Sequence, residues 1–215
     1  MTKLVIFDLD GTLLDTIEDL ANSANYALAL NGYPTHPIEA YRFFVGNGMN
    51  NLILRALPEA KKNEETVAKV KADFLPHYFT NNEDCTKPYP GITELITKLH
   101  ENGIKLAIAS NKVHSATQQL AAKFFPEIPF IAVIGQRENF PIKPNPSILE
   151  QIIQIAGVDK SEMIYVGDSG VDVATAINAK VPFIGVLWGF RPRKELEEVG
   201  ARKFAKDADE LYKMI

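Results

Sequence analysis

Residues 4–12 read Leu-Val-Ile-Phe-Asp-Leu-Asp-Gly-Thr, and this stretch decides the fold. The apolar run 4–7 predicts a short strand that is buried on both faces, as in a parallel sheet. Asp8 and Asp10 follow at its carboxyl end, and the alternation of side chains along a strand allows both carboxylates to point the same way. Ligands of open parallel sheets bind at that end of the strands. Two close carboxylates repel each other unless a cation lies between them, so the stretch predicts a catalytic or metal-binding turn.

The two residues that complete this turn fit the same interpretation. Gly11 allows another backbone to approach closely, and Thr12 offers both a hydroxyl and an amide. A solvated turn between a strand and a loop has a similar composition, so the turn needs support from elsewhere in the chain.

Beyond residue 91 the sequence alternates between strand and helix patterns. This alternation predicts an α/β fold, a parallel-sheet, Rossmann-like core with helices on both faces. The further strands are predicted at 105–109, 130–134, 163–166 and 183–187, and the helices at 92–99, 114–125, 147–156, 171–179, 193–198 and 207–215.

Roughly 70 residues of helical pattern separate the first strand from this region. A helical module inserted after the first strand accounts for them better than two domains in series. We therefore predict an α/β core formed by residues 1–14 and 88–215, and a small α-helical cap domain formed by residues 15–87. The connecting segments are expected near 12–16 and 83–90.

Net charge, cysteine count and the length of apolar runs argue against several classes of function. The chain has 215 residues and a net charge of −4, which is a poor match to nucleic acid or to an anionic membrane surface. Cys85 is the single cysteine, so an internal disulfide and a cysteine-rich metal site are excluded. The sequence has no apolar run near the length of a membrane span, and the cytoplasm is the expected compartment.

Three more polar clusters fall at the ends of predicted strands or just beyond them. Ser110-Asn111-Lys112 follows the second strand of the sheet. Lys143 lies just before a helix, in a stretch that Pro144 and Pro146 stiffen. Asp168 and Asp172 follow the strand 163–166. Each has an ordinary alternative: a helix N-cap, a surface lysine, or an acidic residue in a first helical turn. Four such clusters at one edge of a parallel sheet are hard to attribute to chance.

In this order the clusters resemble the four motifs of the haloacid dehalogenase superfamily. Residues 8–12 are similar to the first motif, Ser110 to the second, Lys143 to the third, and residues 167–172 to the fourth. The helical insertion resembles the family's small cap. Three further stretches resemble the phosphoglycolate phosphatase branch: residues 45–48, 110–112 and 188–190.

The resemblance implies hydrolysis of a phosphomonoester through an aspartyl-phosphate on Asp8. It implies that Asp10 protonates the leaving oxygen and then activates water, and that Ser110 and Lys143 bind the phosphoryl group. It also implies Mg²⁺, a cation that prefers oxygen ligands, held by Asp8, by the backbone carbonyl of Asp10 and by Asp168. Asp172 is expected to support the metal directly or through another group.

The expected substrate-binding residues lie in the core and in the cap. Arg42 and Arg55 are further candidates for binding a carboxylate or phosphate of the substrate, although surface arginines on amphipathic helices look the same. The four histidines have no metal-binding spacing. The expected set is Gly11, Thr12 and Asn111 in the core, with Gly46, Asn47 and Gly48 in a cap loop that could present backbone amides.

The expected partner is a small phosphorylated metabolite, with 2-phosphoglycolate as the first candidate, and the chain is expected to be a monomer or a homodimer. A phosphosugar mutase, a nucleotidase and a pyrophosphatase of the same superfamily remain open. A phospho-accepting, receiver-like signalling module combines similar residues, but its acceptor follows the third strand and it has no large cap. A dehalogenase is disfavoured because it needs no metal.

Overall fold

A computed structural model describes residues 1–215 and contains a six-stranded, wholly parallel sheet with the order β5-β4-β1-β6-β7-β8. The predicted α/β fold is confirmed. The strands are β1 (Leu4–Phe7), β2 (Leu14–Asp15), β3 (Lys87–Pro88), β4 (Lys105–Val113), β5 (Ala132–Gln136), β6 (Met163–Gly167), β7 (Phe183–Val186) and β8 (Phe204–Ala205), and the helices are α1 (Ile17–Leu30), α2 (Ile38–Phe44), α3 (Met49–Ala56), α4 (Glu64–Asn81), α5 (Ile92–Glu101), α6 (His114–Phe124), α7 (Ser147–Ala156), α8 (Gly170–Ala179), α9 (Arg193–Val199) and α10 (Ala208–Met214).

Strand β1 lies at the centre of the sheet, and all four of its residues are fully buried. It pairs with β4 on one side and β6 on the other, with Phe7 level with Ile108 and Val166. The residues that follow these three positions therefore meet at one edge of the sheet. This register places the polar clusters that follow β1 and β6 beside the polar end of β4.

Helices cover both faces of the sheet, as predicted. Val5 and Phe7 pack with α5, α6 and α10, whereas Leu4 and Ile6 pack with α7 and α8. The alternation of strand side chains explains this division, because neighbouring residues of β1 face opposite sides. A continuous apolar run is the sequence that such a two-sided burial requires.

Helices α1 to α4 pack around one apolar cluster, which Ala116 and Phe190 from outside these helices also join. Its members within the helices include Leu20, Tyr41, Leu52, Phe74 and Tyr78. This cluster supports the predicted cap, although the proposed limits of the domain stay a prediction. No helix of the chain has both the length and the apolar character needed to cross a membrane.

The connecting segments expected near 12–16 and 83–90 contain strands β2 and β3. They pair as a short antiparallel ribbon, β2 with β3, in which Leu14 lies opposite Pro88. The buried carboxylate of Asp19, on α1, then accepts hydrogen bonds from the backbone of Cys85 and from the backbone and hydroxyl of Thr86. The two ends of the helical segment are therefore held together by hydrogen bonds.

Two strand predictions also need correction. Strand β4 does not end at Ala109 but continues to Val113, with a shift in its pairing to β5 between these residues, so Ser110-Asn111-Lys112 lies within it. Strand β5 begins at Ala132 rather than at residue 130. The two-residue strand β8 was not predicted.

Candidate active site

Asp8 lies at the floor of a cavity between the sheet edge and the helical segment. Its Oδ1 accepts a hydrogen bond from the backbone N–H of Leu9, at 2.7 Å, and lies 2.9 Å from Nζ of Lys143. Its Oδ2 has no hydrogen-bond partner within the protein. One oxygen therefore fixes the carboxylate, and the other is available for chemistry.

Lys143 is buried, so the alternative of an ordinary surface lysine is wrong. Its Nζ lies 2.9 Å from Oδ1 of Asp8 and 2.8 Å from Oδ1 of Asp172, and it also donates to the carbonyl of Ala109 and the hydroxyl of Tyr165. Burial alone would lower the pKa of Lys143, but the charges of Asp172 and Asp8 outweigh it and raise the pKa. The ammonium therefore stays charged beneath the cavity.

Asn111 fixes the backbone that carries this lysine. Its side-chain amide donates to the carbonyl of Lys143, at 3.0 Å, and its Oδ1 accepts from the backbone N–H of the same residue, at 2.8 Å. Asn111 also lines the cavity beside Ser110, whose buried hydroxyl donates no hydrogen bond within the protein. Asn111 therefore has a structural role in this site, and its contact with substrate stays a prediction.

Three buried carboxylates lie close together, two of them in the wall of the cavity. Oxygen atoms of Asp8, Asp168 and Asp172 lie within 4.8 Å of one another. Burial raises the pKa of Asp168 well above its usual range, and the charges of Asp172 and Asp8 add to the effect. Burial likewise raises the pKa of Asp8 to about 7, although Lys143 opposes the shift.

A divalent cation fits this arrangement. Lys143 is bonded to two of the three carboxylates, Asp8 and Asp172, and Asp168 has no cationic side chain against it. The cluster therefore holds more negative charge than the protein neutralises. Carboxylate oxygens are also the ligands that Mg²⁺ prefers.

A tight cradle holds Asp168 in place. Its Oδ1 accepts from the hydroxyl of Thr12, at 3.2 Å, and its Oδ2 accepts from the backbone N–H of Phe190, at 2.7 Å. A β-carbon at Gly11 or at Gly189 would collide with the carboxylate or β-carbon of Asp168, and Gly11 also has φ +83°. Glycine is required at both positions because two backbones approach one side chain.

This cradle changes the interpretation of Gly11 and Thr12. Neither residue lines the cavity, and the Thr12 carbonyl accepts from Nε1 of Trp188 at 3.0 Å. Both residues therefore support Asp168 in this structure, and direct contact with substrate stays a prediction.

Asp172 accepts hydrogen bonds from the groups around it. Its Oδ1 accepts from the hydroxyl of Tyr165 as well as from Lys143, and its Oδ2 accepts from the backbone and hydroxyl of Ser169. The side chain is fully buried and does not line the cavity. Both oxygens are thus engaged in orienting the site, which agrees with an indirect supporting role.

Asp10 lines the cavity but lies outside the carboxylate cluster, so its side chain is not part of the candidate metal site. Lys112 donates to both of its oxygens, at 2.8 and 3.1 Å, and the hydroxyl of Thr16 donates to Oδ1 at 2.7 Å. The Lys112 ammonium also lies 4.9 Å from the ring centre of Tyr78, on α4. Sequence reasoning did not identify this lysine as a partner of Asp10.

The cap loop contributes glycines to the cavity wall, but not Asn47. Gly46 and Gly48 line the cavity, with φ of +126° and +80°. Oδ1 of Asn47 instead accepts from Nη2 of Arg55, at 2.6 Å. Arg42 donates to the carbonyl of Gly189, at 3.4 Å.

Neither arginine that the sequence suggested lines the cavity, so these two candidates are not supported by the geometry. The guanidinium that does line it belongs to Arg191, which the sequence analysis missed. Arg191 follows the Trp188–Phe190 stretch directly in the sequence, and this adjacency was the available signal.

Comparison with known proteins identifies the family of the chain. The sequence model of the haloacid dehalogenase-like hydrolases matches residues 5–186. The chain belongs to this family. The resemblance inferred from the four motifs is thereby confirmed, and a hydrolase is favoured over a phospho-accepting signalling module.

Individual relatives of this hydrolase cover nearly the whole chain. The phosphoglycolate phosphatase of Vibrio parahaemolyticus is 34% identical, over 99% of this chain and 96% of its own length. The phosphoglycolate phosphatase of Agrobacterium fabrum is 36% identical, over 92% of this chain and 86% of its own length. A solved structure from Lactobacillus delbrueckii superposes with a TM-score of 0.93 at 32% identity, covering 100% of this chain and 99% of that one.

Proposed function

We propose that the protein is a Mg²⁺-dependent phosphatase that hydrolyses a small phosphomonoester through an aspartyl-phosphate on Asp8, with 2-phosphoglycolate as the preferred substrate. The observation that carries the proposal is the free Oδ2 of Asp8 at the cavity floor, beside Lys143 and the three-carboxylate cluster. The family match and the phosphoglycolate phosphatase relatives support the reaction class and the substrate.

In the first step, Oδ2 of Asp8 attacks phosphorus, and the bond from phosphorus to the leaving oxygen breaks. Asp10, which faces the same cavity, gives a proton to that oxygen. In the second step Asp10 accepts a proton from water, whose oxygen attacks phosphorus and releases inorganic phosphate. The Asp8 carboxylate is then restored. Proton transfer by a positioned group contributes about 10²- to 10⁴-fold in rate.

Neutralising negative charge is the main requirement, because an anion attacks an anion. Lys143 provides one fixed positive charge against Asp8, and the hydroxyl of Ser110 is available as a donor to a phosphoryl oxygen. Asp8 and Asp168 would hold Mg²⁺, together with the backbone carbonyl of Asp10, and the ion supplies further positive charge to the phosphoryl oxygens. Asp172 keeps Lys143 in position.

The helical segment 15–87 serves in this proposal as a cap that excludes water and selects the leaving group. Its contribution to the cavity wall is mostly apolar, which limits the access of water to the reacting groups. The wall residues are Leu20, Val45, Gly46, Gly48, Met49 and Leu52.

A comparison of kcat/KM values tests the substrate. The panel is 2-phosphoglycolate, β-glucose 1-phosphate, a nucleoside monophosphate and pyrophosphate, each with Mg²⁺, and the Asp8→Asn variant is the blank. We expect 2-phosphoglycolate to lead. A tenfold advantage for any other compound, about 1.4 kcal/mol in transition-state free energy, would overturn the substrate but not the reaction class. Conversion of the sugar phosphate to an isomer would indicate a mutase.

A further inference from the structure

Three arginines lie beside the cap loop 45–48 and the segment 189–191: Arg42, Arg55 and Arg191. Arg55 donates to the carbonyl of Phe44, at 2.9 Å, and to the side chain of Asn47. Arg42, from the cap, donates to a carbonyl of the core. Cap and core are therefore joined by guanidinium groups rather than by apolar packing alone.

Arg191 comes from the core and reaches the cap. Its Nη2 donates to the carbonyl of Val45, at 2.9 Å, and to that of Phe43, at 3.2 Å. Its Nε and Nη1 form no hydrogen bond, and the nearest acidic oxygen, on Glu195, lies 3.6 Å from Nη1. Nη2 is therefore bound to the cap, whereas Nε and Nη1 keep N–H groups that donate no hydrogen bond.

Arg191 lies near a second guanidinium, that of Arg55. Burial lowers the pKa of Arg55, and the nearby charge of Arg191 lowers it further, with Glu195 opposing. Of these two guanidiniums, Arg191 has an acidic oxygen of Glu195 at 3.6 Å. Positive charge beside a binding site favours an anionic ligand group.

The cavity offers no other free cation to such a group. Lys112 lines the cavity, but both oxygens of Asp10 occupy its ammonium. Lys143 lies beneath the floor and is bonded to Asp8 and Asp172. Among the cations that line the cavity, Arg191 alone has unused donors.

We propose that Arg191 binds a carboxylate on the leaving group, and that this contact selects phosphomonoesters that carry a carboxylate over neutral ones of the same size. The inference rests on the proposed function, because it takes the phosphoryl group to lie on Asp8. Nε and Nη1 can each donate a charge-assisted hydrogen bond to a carboxylate oxygen, and such bonds are stronger than those between neutral groups. A neutral leaving group would leave those donors unpaired, and this is the basis of rejection.

The test compares two esters that differ in the carboxylate, 2-phosphoglycolate and ethyl phosphate. Wild-type protein should prefer 2-phosphoglycolate. Arg191→Gln should lower its kcat/KM by about 10- to 100-fold, the loss expected for a charged hydrogen bond, and change that of ethyl phosphate by less than about threefold. Arg191→Lys should restore part of the loss, because it restores the charge.

Arg193→Gln is the matched control, since Arg193 is exposed and pairs with Glu197 on its own helix. This control should leave both kcat/KM values unchanged. The midpoint of thermal unfolding of each variant is measured alongside, so that a loss of folding is not mistaken for a loss of binding.

Two results would overturn the inference. Equal losses of kcat/KM on both esters in Arg191→Gln would show that Arg191 only holds the cap in place. A wild-type protein without preference for 2-phosphoglycolate would show that no carboxylate is selected. The proposed function fails separately, if Asp8→Asn hydrolyses p-nitrophenyl phosphate as fast as wild type.

Discussion

Replacing Asp168 by asparagine should stabilise the protein when no metal is present. Oxygens of Asp168 lie within 4.8 Å of those of Asp8 and Asp172, and Lys143 is bonded to the other two carboxylates but not to Asp168. At that distance two like charges repel by about 3 kcal/mol with an effective dielectric constant near 20. Protonation relieves part of this repulsion in the wild type, so the net gain is smaller, about 1–3 kcal/mol at pH 7.

The hydrogen bonds of Asp168 survive the substitution. An asparagine oxygen accepts from the backbone N–H of Phe190, and the amide donates to the hydroxyl of Thr12, which can accept as well as donate. The substitution is nearly isosteric and creates no cavity. The loss of charge is therefore its main effect.

The sign of the pH dependence follows from the pKa shifts. The pKa of Asp168 is raised in the folded protein, and that of Asp8 is raised to about 7, both chiefly by burial. A raised folded pKa means that the folded state binds protons more tightly than the unfolded chain. The free energy of unfolding of metal-free wild type should therefore fall as pH rises from about 4 to 7, and fall less in Asp168→Asn.

Thermal unfolding in chelator and in Mg²⁺ tests this reasoning. In chelator at pH 7, Asp168→Asn should unfold about 2–12 °C above wild type, since 1 kcal/mol shifts the midpoint by roughly 2–4 °C for a chain of this size. Mg²⁺ should raise the midpoint of the wild type and raise that of the variant far less. The exposed Asp84→Asn controls for the loss of one charge. A variant less stable than wild type in chelator, or equal Mg²⁺ shifts, would refute the reasoning.

Other predictions concern the groups around this cluster. Lys112→Met should lower the free energy of unfolding, measured in urea, by about 3 kcal/mol, because it leaves Asp10 without its ion pair. Adding Asp10→Asn should recover most of this loss. Additive effects of the two substitutions would contradict the pairing. Gly189→Ala should lower the free energy of unfolding by about 2 kcal/mol, because the added methyl group collides with Asp168 and the Gly11 carbonyl. It should also weaken Mg²⁺ binding measured by calorimetry, and an unchanged affinity would contradict the role of Gly189 in holding Asp168. Asp10→Asn should lose more activity on ethyl phosphate than on p-nitrophenyl phosphate, whose leaving group needs no proton, and equal losses would remove its role as an acid.

The sequence predicts the sheet edge well for a physical reason. An apolar run such as 4–7 is required by burial on both faces, and parallel strands bring their carboxyl ends together. Asp8 and Asp168 therefore meet although 159 residues lie between them. Ser110 and Lys112 lie two residues apart in one strand, so alternation could have placed Lys112 beside Asp10.

Other features depend on contacts that no local pattern records. The ribbon of Leu14 with Pro88 and the strand β8 contain too few residues to show a period, and pairing with distant segments creates them. Arg42, Arg55 and Arg191 are all arginines near the cap loop in space, and which of them faces the cavity depends on how cap and core pack. Charge alone identified two of them as ligand candidates and missed the third.

Rapid quenching of the reaction tests the central claim most directly. Protein mixed with 2-phosphoglycolate and Mg²⁺ is stopped in acid within one turnover, and its peptides are analysed by mass. We predict phosphate on Asp8 that appears and decays with turnover and is absent from Asp8→Asn. Release of inorganic phosphate at the full rate with no phosphorylated peptide, or with the phosphate on another residue, would contradict the account.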